Sequence, residues 1–237
     1  MQERGVIAAV LAGGLGTRLR SALPDRPKVL APVHDRPYLH HLLRWLHDAG
    51  LTECVLLVGH RADQVRAAMG ARACGVELSY SEEASPLGTG GAVTNAVRLI
   101  ASRRLLLLNG DSHCGLDLKA FIRRHEASGA KASMALARVA EPGRYGQVTL
   151  IGDRVWRFVE KGPSHGPGLV NAGVYLLEPE AVQALPSGPS SLERDLFPVM
   201  SREGNLAGCP TDGPFLDIGT PESYAQAEAH FAAFAAG

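Results

Sequence analysis

Apolar and polar positions follow two rhythms along the chain. In the first half, short apolar runs alternate with segments whose apolar residues recur three and four apart. Val6–Leu11 is a β-branched and apolar run that ends in glycines, as a buried parallel strand does. Tyr38–Ala49 carries Leu39, Leu42, Leu43 and Leu46 on one helical face and stops at Gly50. The same reading predicts strands at Cys54–Val58 and Val76–Tyr80, with helices at Ala62–Met69 and Thr89–Ile100. "RLLLLNGD" reads as a fully buried strand ending in an acid, and Leu118–Ser128 as a further helix. Strands that alternate with helices imply right-handed βαβ crossovers and a doubly wound sheet.

From Ala132 the rhythm changes. "ASMALARV", "GQVTLI", "RVWRFVE" and "LVNAGVYLL" follow one another with only turns between them. They predict a mixed or antiparallel extension of the sheet, a small β-rich lid over a binding cleft. Ser190 and Ser191 before Glu193 form a helix-start pattern, and Pro221–Phe234 reads as a closing helix with proline in its first turn. Without internal repeats or low-complexity linkers, the 237 residues are expected to form a single α/β domain, a Rossmann-like doubly wound mixed sheet.

Composition narrows the partners. Hydrophobic residues make up 46% and charged residues 20%, the proportions of an ordinary globular chain. Basic and acidic side chains balance at 24 each, which argues against a nucleic-acid binder working by bulk phosphate attraction. A local basic pocket for a small anion is still compatible. The N-terminal "MQERGVIAAVLAGG" reads as a first strand rather than a signal peptide, and no run reaches the ~18 apolar residues of a membrane span. Cys54, Cys74, Cys114 and Cys209 lie far apart without a CxxC pair, so buried thiols in a reducing cytoplasm are expected.

The candidate chemistry begins at "LAGGLGTRLRSALPDRPK", Leu11 to Lys28. Gly13, Gly14 and Gly16 follow the first strand, at the carboxyl edge where open α/β sheets bind ligands. The order is neither the G-x-G-x-x-G of a dinucleotide site nor a loop ending in GK[ST], so dehydrogenase and P-loop readings both weaken. Glycines let backbone N–H groups encircle phosphate oxygens. Arg18 adds a planar fork and Lys28 a point charge. A tight turn flanked by two solvated cations is the plainer reading of the same shape.

"LAGGLGTRLxxxxxxxPK" closely resembles the N-terminal motif of the sugar-1-phosphate nucleotidylyltransferases, which condense a nucleoside triphosphate with a sugar 1-phosphate and release pyrophosphate. The resemblance divides the domain into a nucleotide-binding half, about residues 1–130, and a sugar-phosphate-binding half, about 131–220, closed by the helix at 221–237. It implies that Leu11, Ala12, Gly13, Gly14, Gly16 and Thr17 wrap the triphosphate, with Arg18 and Lys28 on the phosphates that leave. Asp111, after Gly110 in "NGD", matches the family's first magnesium-binding acid, and Asp217 in "FLDIGTP" matches its second. On its own, a strand-end Asp is as often a turn cap as a ligand, although a carboxylate there suits Mg²⁺.

The other implied roles fall on separate motifs. Gly88 and Thr89 in "PLGTGGA" lie against the nucleobase in the family. Glu82 or Glu83 just upstream could accept from guanine N1 and N2, while a solvated acidic pair is the commoner explanation. Tyr145 and Gly146 in "RYG" and Asn171 in "NAG" match sugar-binding positions. In "EKG" the resemblance puts Glu160 on a sugar hydroxyl and Lys161 on the sugar phosphate. Gly162 stands where the family has proline, which loosens that turn. His113 and Cys114, beside a proposed ligand, read as packing or solvent-facing residues, since Mg²⁺ prefers oxygen.

A sugar 1-phosphate is already an anion at neutral pH, its second pKa being about 6, so no general base is required. Agreement of "LAGGLGTRLRS", "PLGTGGA", "NGDS", "RYG" and "DIGTPESY" looks most like the bacterial D-glycero-D-manno-heptose 1-phosphate guanylyltransferases. That likeness implies GTP and a heptose 1-phosphate as partners, Mg²⁺ as cofactor, and a cytoplasmic role in surface polysaccharide synthesis. A mannose-1-phosphate guanylyltransferase, an amino-sugar-1-phosphate uridylyltransferase and a non-catalytic nucleotide-sugar sensor are the alternatives. Family members often form homodimers, and no interface signature stands out here.

Overall fold

The computed structural model describes residues 5–19, 23–100, 103–159, 162 and 166–235. Val6–Leu11 (β1) is buried along all but its last residue, because parallel strands flank it on both sides. Its side chains alternate between two cores: Val6, Ala8 and Val10 face one, Ile7 and Ala9 the other. A hairpin of Pro32–Val33 (β2) and Arg36–Pro37 (β3) follows. His34 and Asp35 at its tip both take positive φ, as a two-residue turn of this hand requires.

Tyr38–Asp48 (α1), Glu53–Val58 (β4), Ala62–Met69 (α2), Arg72–Ala73 (β5) and Val76–Glu82 (β6) continue the winding. Gly88–Asn95 (α3) and Val97–Ile100 (α4) replace the single expected helix, with a break at Ala96. Arg104–Asn109 (β7) and Ser112–Cys114 (β8) precede Leu118–Ser128 (α5). The second half runs Ala132–Val139 (β9), Gln147–Ile151 (β10), Arg154–Val159 (β11) and Gly168–Leu177 (β12). Pro179–Gln183 (α6), a π-helical turn at Leu192–Leu196, Phe197–Arg202 (α7), Leu206–Thr211 (β13) and Phe215–Asp217 (β14) follow. The closing segment is two helices, Pro221–Tyr224 (α8) and Ala227–Ala235 (α9), rather than one. Thr220 caps the first of them in a reciprocal capping box with Ser223.

Among the described residues, ten strands form one mixed sheet in the order β10-β11-β13-β9-β12-β7-β1-β4-β6-β5. β7, β1, β4 and β6 are mutually parallel, whereas β12 runs antiparallel to β7 and to β9. α1, α2, α5 and α9 cover one face, and α3, α4, α6 and α7 the other. β10 also pairs with β12 at Gln147 and Val148, which folds the β10–β11 hairpin back over the sheet as a small β-rich extension.

β13 is the longest strand that the apolar pattern does not predict. "LAGCPT" has few β-branched residues and carries both glycine and proline. A Cβ on Gly208 would press on the Leu150 and Leu136 side chains, which pack against the bare glycine instead. Pro210 is tolerated because β11 reaches β13 only at Arg154–Ala207, leaving the proline end with a free edge.

Candidate active site

The carboxyl ends of β1, β4, β6 and β7 open into a cavity of about 590 Å³, within the usual range of ligand sites. The loop from Leu11 to Thr17 forms one wall, joined by Arg18, Lys28, Gly88, Thr89 and Gly110. Ala12 donates to the Leu57 carbonyl at 2.8 Å, and the chain then leaves the sheet. None of the backbone N–H groups from Gly13 to Thr17 donates to a protein acceptor among the described residues. Such a run of unused donors is a nest for an anion. Gly16 takes a φ of +59°, while a Cβ on Gly13 would stand 3.1 Å from both the Gly59 nitrogen and the Glu83 carboxylate. Each glycine therefore has its own reason, conformational at Gly16 and steric at Gly13.

Arg18 is exposed on a short 3₁₀ turn, Thr17–Leu19. Lys28 begins another, Lys28–Leu30, directly after Pro27. Its ammonium meets the Asp111 carboxylate at 2.6 Å, with the lysine side chain 12% exposed. Asp111 follows the tight turn after β7, where Gly110 donates to the Leu11 carbonyl at 3.0 Å. A Cβ at Gly110 would collide with that same carbonyl, so the turn admits only glycine.

The second acid arrives by a different route. β14 pairs antiparallel with β8 and sets Asp217 opposite Ser112, one residue beyond Asp111. Ile218 donates back to the Asp111 carbonyl at 2.9 Å. Burial raises the Asp217 carboxyl above its ordinary range, and the neighbouring Asp111 charge raises it further. Lys28, the Gly219 N–H and Arg18 oppose that shift. Two facing carboxylates that repel each other call for a cation, and Mg²⁺ is held by one or two carboxylates completed by substrate phosphates and water. Both donors are carboxylate oxygens, the ligand type that hard cations such as Mg²⁺ take.

A second cavity of about 160 Å³ adjoins the acids. A void of about 150 Å³ takes a benzene-sized ring. Tyr145, Gly146 and Asn171 line it, together with Asp217. Asn171 is held in place: its amide donates to the Tyr175 hydroxyl at 2.8 Å and accepts from the Gly173 N–H at 2.9 Å. The space a side chain on Gly146 would fill is taken by the Phe158 ring, 2.8 Å from such a Cβ. Glu160 and Lys161 lie outside the described residues. Arg18, Asn109 and Asp111 border both cavities.

The two glutamates after β6 separate cleanly. Glu82 points outward and pairs with Arg66 at 3.1 Å. Glu83 lines the larger cavity, with Oε2 accepting from the Leu87 N–H at 3.0 Å. Thr89 also borders that cavity, yet its hydroxyl is committed elsewhere, donating to Glu193 at 2.7 Å and accepting from the Leu192 N–H at 2.9 Å.

Asn109, Arg144 and Glu193 are site residues that the motifs did not single out. The first two sit beside Gly110 and Tyr145, so their neighbours were a signal. Glu193 had none, because an acid just inside a helix start looks like part of a cap. His113 is buried, with its Nδ1 2.8 Å from His230 Nε2. Burial, with His230 and His41 nearby, pushes its pKa down to about 3. It packs behind the acids and does not face the cavities.

Comparison with known proteins agrees with this layout. The nucleotidyl transferase family model matches residues 7–233. D-glycero-alpha-D-manno-heptose 1-phosphate guanylyltransferase of Aneurinibacillus thermoaerophilus is 34% identical over 222 residues, 93% of this chain and 96% of its own. The mannose-1-phosphate guanylyltransferase catalytic subunit beta of Drosophila melanogaster is 33% identical over 226 residues, 93% of this chain but 61% of its own length. The crystal structure of HddC from Yersinia pseudotuberculosis shares the fold with a TM-score of 0.84 at 32% identity, covering 95% of this chain and 99% of that one. HddC complexed with GMP-PN gives a TM-score of 0.83. With the family model spanning almost the whole sequence and the architecture shared, the chain belongs to the nucleotidyl transferase family of enzymes.

Proposed function

We propose that the enzyme joins GTP to D-glycero-α-D-manno-heptose 1-phosphate, giving GDP-heptose and pyrophosphate. The carrying observation is that Arg18, Asn109 and Asp111 border both cavities. A triphosphate in the larger and a sugar phosphate in the smaller would bring their phosphates together there. The unused loop N–H groups and Lys28 suit the β- and γ-phosphates of the leaving pyrophosphate, with Arg18 at the junction to follow the charge as the bond breaks. The attacking oxygen belongs to the sugar phosphate, which needs positioning rather than deprotonation. Arg144 borders the smaller cavity and Lys161 is assigned to the same phosphate on its motif. Mg²⁺ held by Asp111 and Asp217 would polarise the α-phosphate and offset the repulsion between two anions.

Guanine is favoured by Glu83, whose Oε1 is left for a ligand N–H once Oε2 has accepted from Leu87. Guanine offers N1–H and N2–H₂ on one edge, whereas uracil offers a single N–H. The guanylyltransferase names of the relatives, and the GMP-PN complex of HddC, support the same base. Heptose is favoured by the relative that this chain matches over nearly its full length. The proposed setting is the cytoplasm, where free thiols stay reduced, and the proposed pathway is surface polysaccharide synthesis.

Pyrophosphate release measured across GTP, UTP, CTP and dTTP, each with heptose, mannose, glucose and N-acetylglucosamine 1-phosphates, tests this reading. GTP with the heptose is expected to dominate. UTP dominance would overturn the base, mannose dominance the sugar, and silence with every pair would leave a nucleotide-sugar sensor.

A further inference from the structure

Glu193 lies in the π-helical turn after Ser191, where an acid usually does no more than complement a helix start. Its surroundings give it another task. Oε2 accepts from the Thr89 hydroxyl at 2.7 Å and from the Ser191 hydroxyl at 2.8 Å. Oε1 takes no hydrogen bond among the described residues, and the carboxylate borders the smaller cavity. The mount is stiff. Gly90 and Gly91 donate to the Ser190 carbonyl at 3.0 and 3.2 Å, and Ser190 donates to Leu87 at 2.9 Å. The segment carrying Glu193 is thereby clamped to the start of α3.

An acceptor fixed in this way loses little freedom when a ligand arrives. The cavity also contains the rings of Tyr145, Phe158 and Phe215, which offer apolar faces to a sugar, while its other carboxylates, Asp111 and Asp217, are the pair proposed to hold Mg²⁺. A carboxylate only accepts, and its bonds to hydroxyls are charge-assisted. We infer that Glu193 is a specificity-determining residue for the sugar. Its Oε1 accepts a hydrogen bond from a ring hydroxyl of the sugar 1-phosphate, and its charge turns away sugars that carry a carboxylate. The inference rests on the smaller cavity being the sugar site.

The test uses the full chain and its Glu193→Gln and Glu193→Asp variants, with GTP and each of a set of monodeoxy sugar 1-phosphates. Glutamine keeps an acceptor for Thr89 and Ser191 but offers the cavity an amide donor. Its KM for the parent sugar 1-phosphate is expected to rise at least tenfold, with the KM for GTP within twofold. In the wild type one deoxy position should cost about tenfold in kcat/KM; in Glu193→Gln that position should cost nothing further, the signature of one lost contact. Glu193→Asp, which keeps the charge, should fall between the two. An unchanged sugar KM, or the same deoxy pattern in wild type and variant, overturns the inference. So does a matched rise in both KM values with a lowered Tm, which would make Glu193 a structural cap. Wild-type silence with every sugar would instead sink the reading of the function, so the two failures are told apart.

Discussion

At the scale of single residues, the site is organised by charges that meet across long stretches of sequence. Lys28 and Asp111 stand 83 positions apart in the chain and touch at 2.6 Å. Arg18 has the opposite character, exposed and free to follow a changing phosphate. Arg18→Ala and Asp111→Ala are each predicted to lower kcat by about a hundredfold or more, the usual effect of losing a transition-state charge contact. Near wild-type pyrophosphate release from either variant would remove that residue from the mechanism. Glu83→Gln exchanges an acceptor for a donor facing the base and is expected to cut the preference for GTP over UTP about tenfold, read as a ratio of kcat/KM values. These residues were legible because their types are chemically unusual where they stand: glycines on a strand end, an acid after a buried run. Glu193 was not, because a polar residue near a cap has a local explanation, and only the tertiary approach of Thr89 reveals more.

At the scale of elements, the parallel strands and their helices could be read from period and breakers, whereas β8, β13 and β14 could not. β8 and β14 have three residues each and pair across roughly a hundred positions, so no local pattern marks them. Yet that ladder brings the two acids together, which makes it the element most responsible for the site. The packing of α3 offers a sharper test. Gly88 takes a φ of +76°, and a Cβ there would lie 2.5 Å from the Ser190 carbonyl oxygen. Gly88→Ala is therefore predicted to cost at least about 1–3 kcal/mol, which for a chain of this size lowers Tm by several degrees. It should also raise the KM values for both substrates, since Thr89 and Glu193 hang on the same contact. Gly14→Ala is the control: its φ is not positive and nothing lies within 4 Å, so Tm should hold while nucleotide binding suffers. Equal Tm losses in the two variants would mean that Ser190 yields easily and the clamp is soft.

At the scale of the whole molecule, the closing helix is tied to the sheet by a cluster of neutral imidazoles. His41 of α1 stacks on Phe231 of α9 at 4.2 Å between ring centroids, and His113 of β8 meets His230 of α9. Trp45 and Tyr38 pack against the same rings. A single N–H joins His113 to His230, so one ring donates and the other accepts, and protonating both would set two cations face to face. Burial lowers His230 to about 4 and lowers His41 as well, where the Val33 carbonyl works in the other direction. Unfolded, these rings titrate near 6.5. Between pH 6.5 and about 4 the unfolded chain therefore binds more protons than the folded one, and stability must fall as the pH falls. Asp217, with its carboxyl raised by burial and by the Asp111 charge, acts in the opposite sense, gaining as the pH falls toward the ordinary carboxylate range. Glu178, lowered by His125 and Arg104 against the effect of its own burial, adds to the loss in that same lower window. Urea midpoints between pH 7 and 5 test the imidazoles: they should drop in the wild type, and His230→Gln should flatten the slope by removing one titrating ring. A midpoint that stays level in the wild type over this range would mean that the cluster opens to water and takes up its protons without unfolding, leaving α9 held by the buried Ala227 and Phe231.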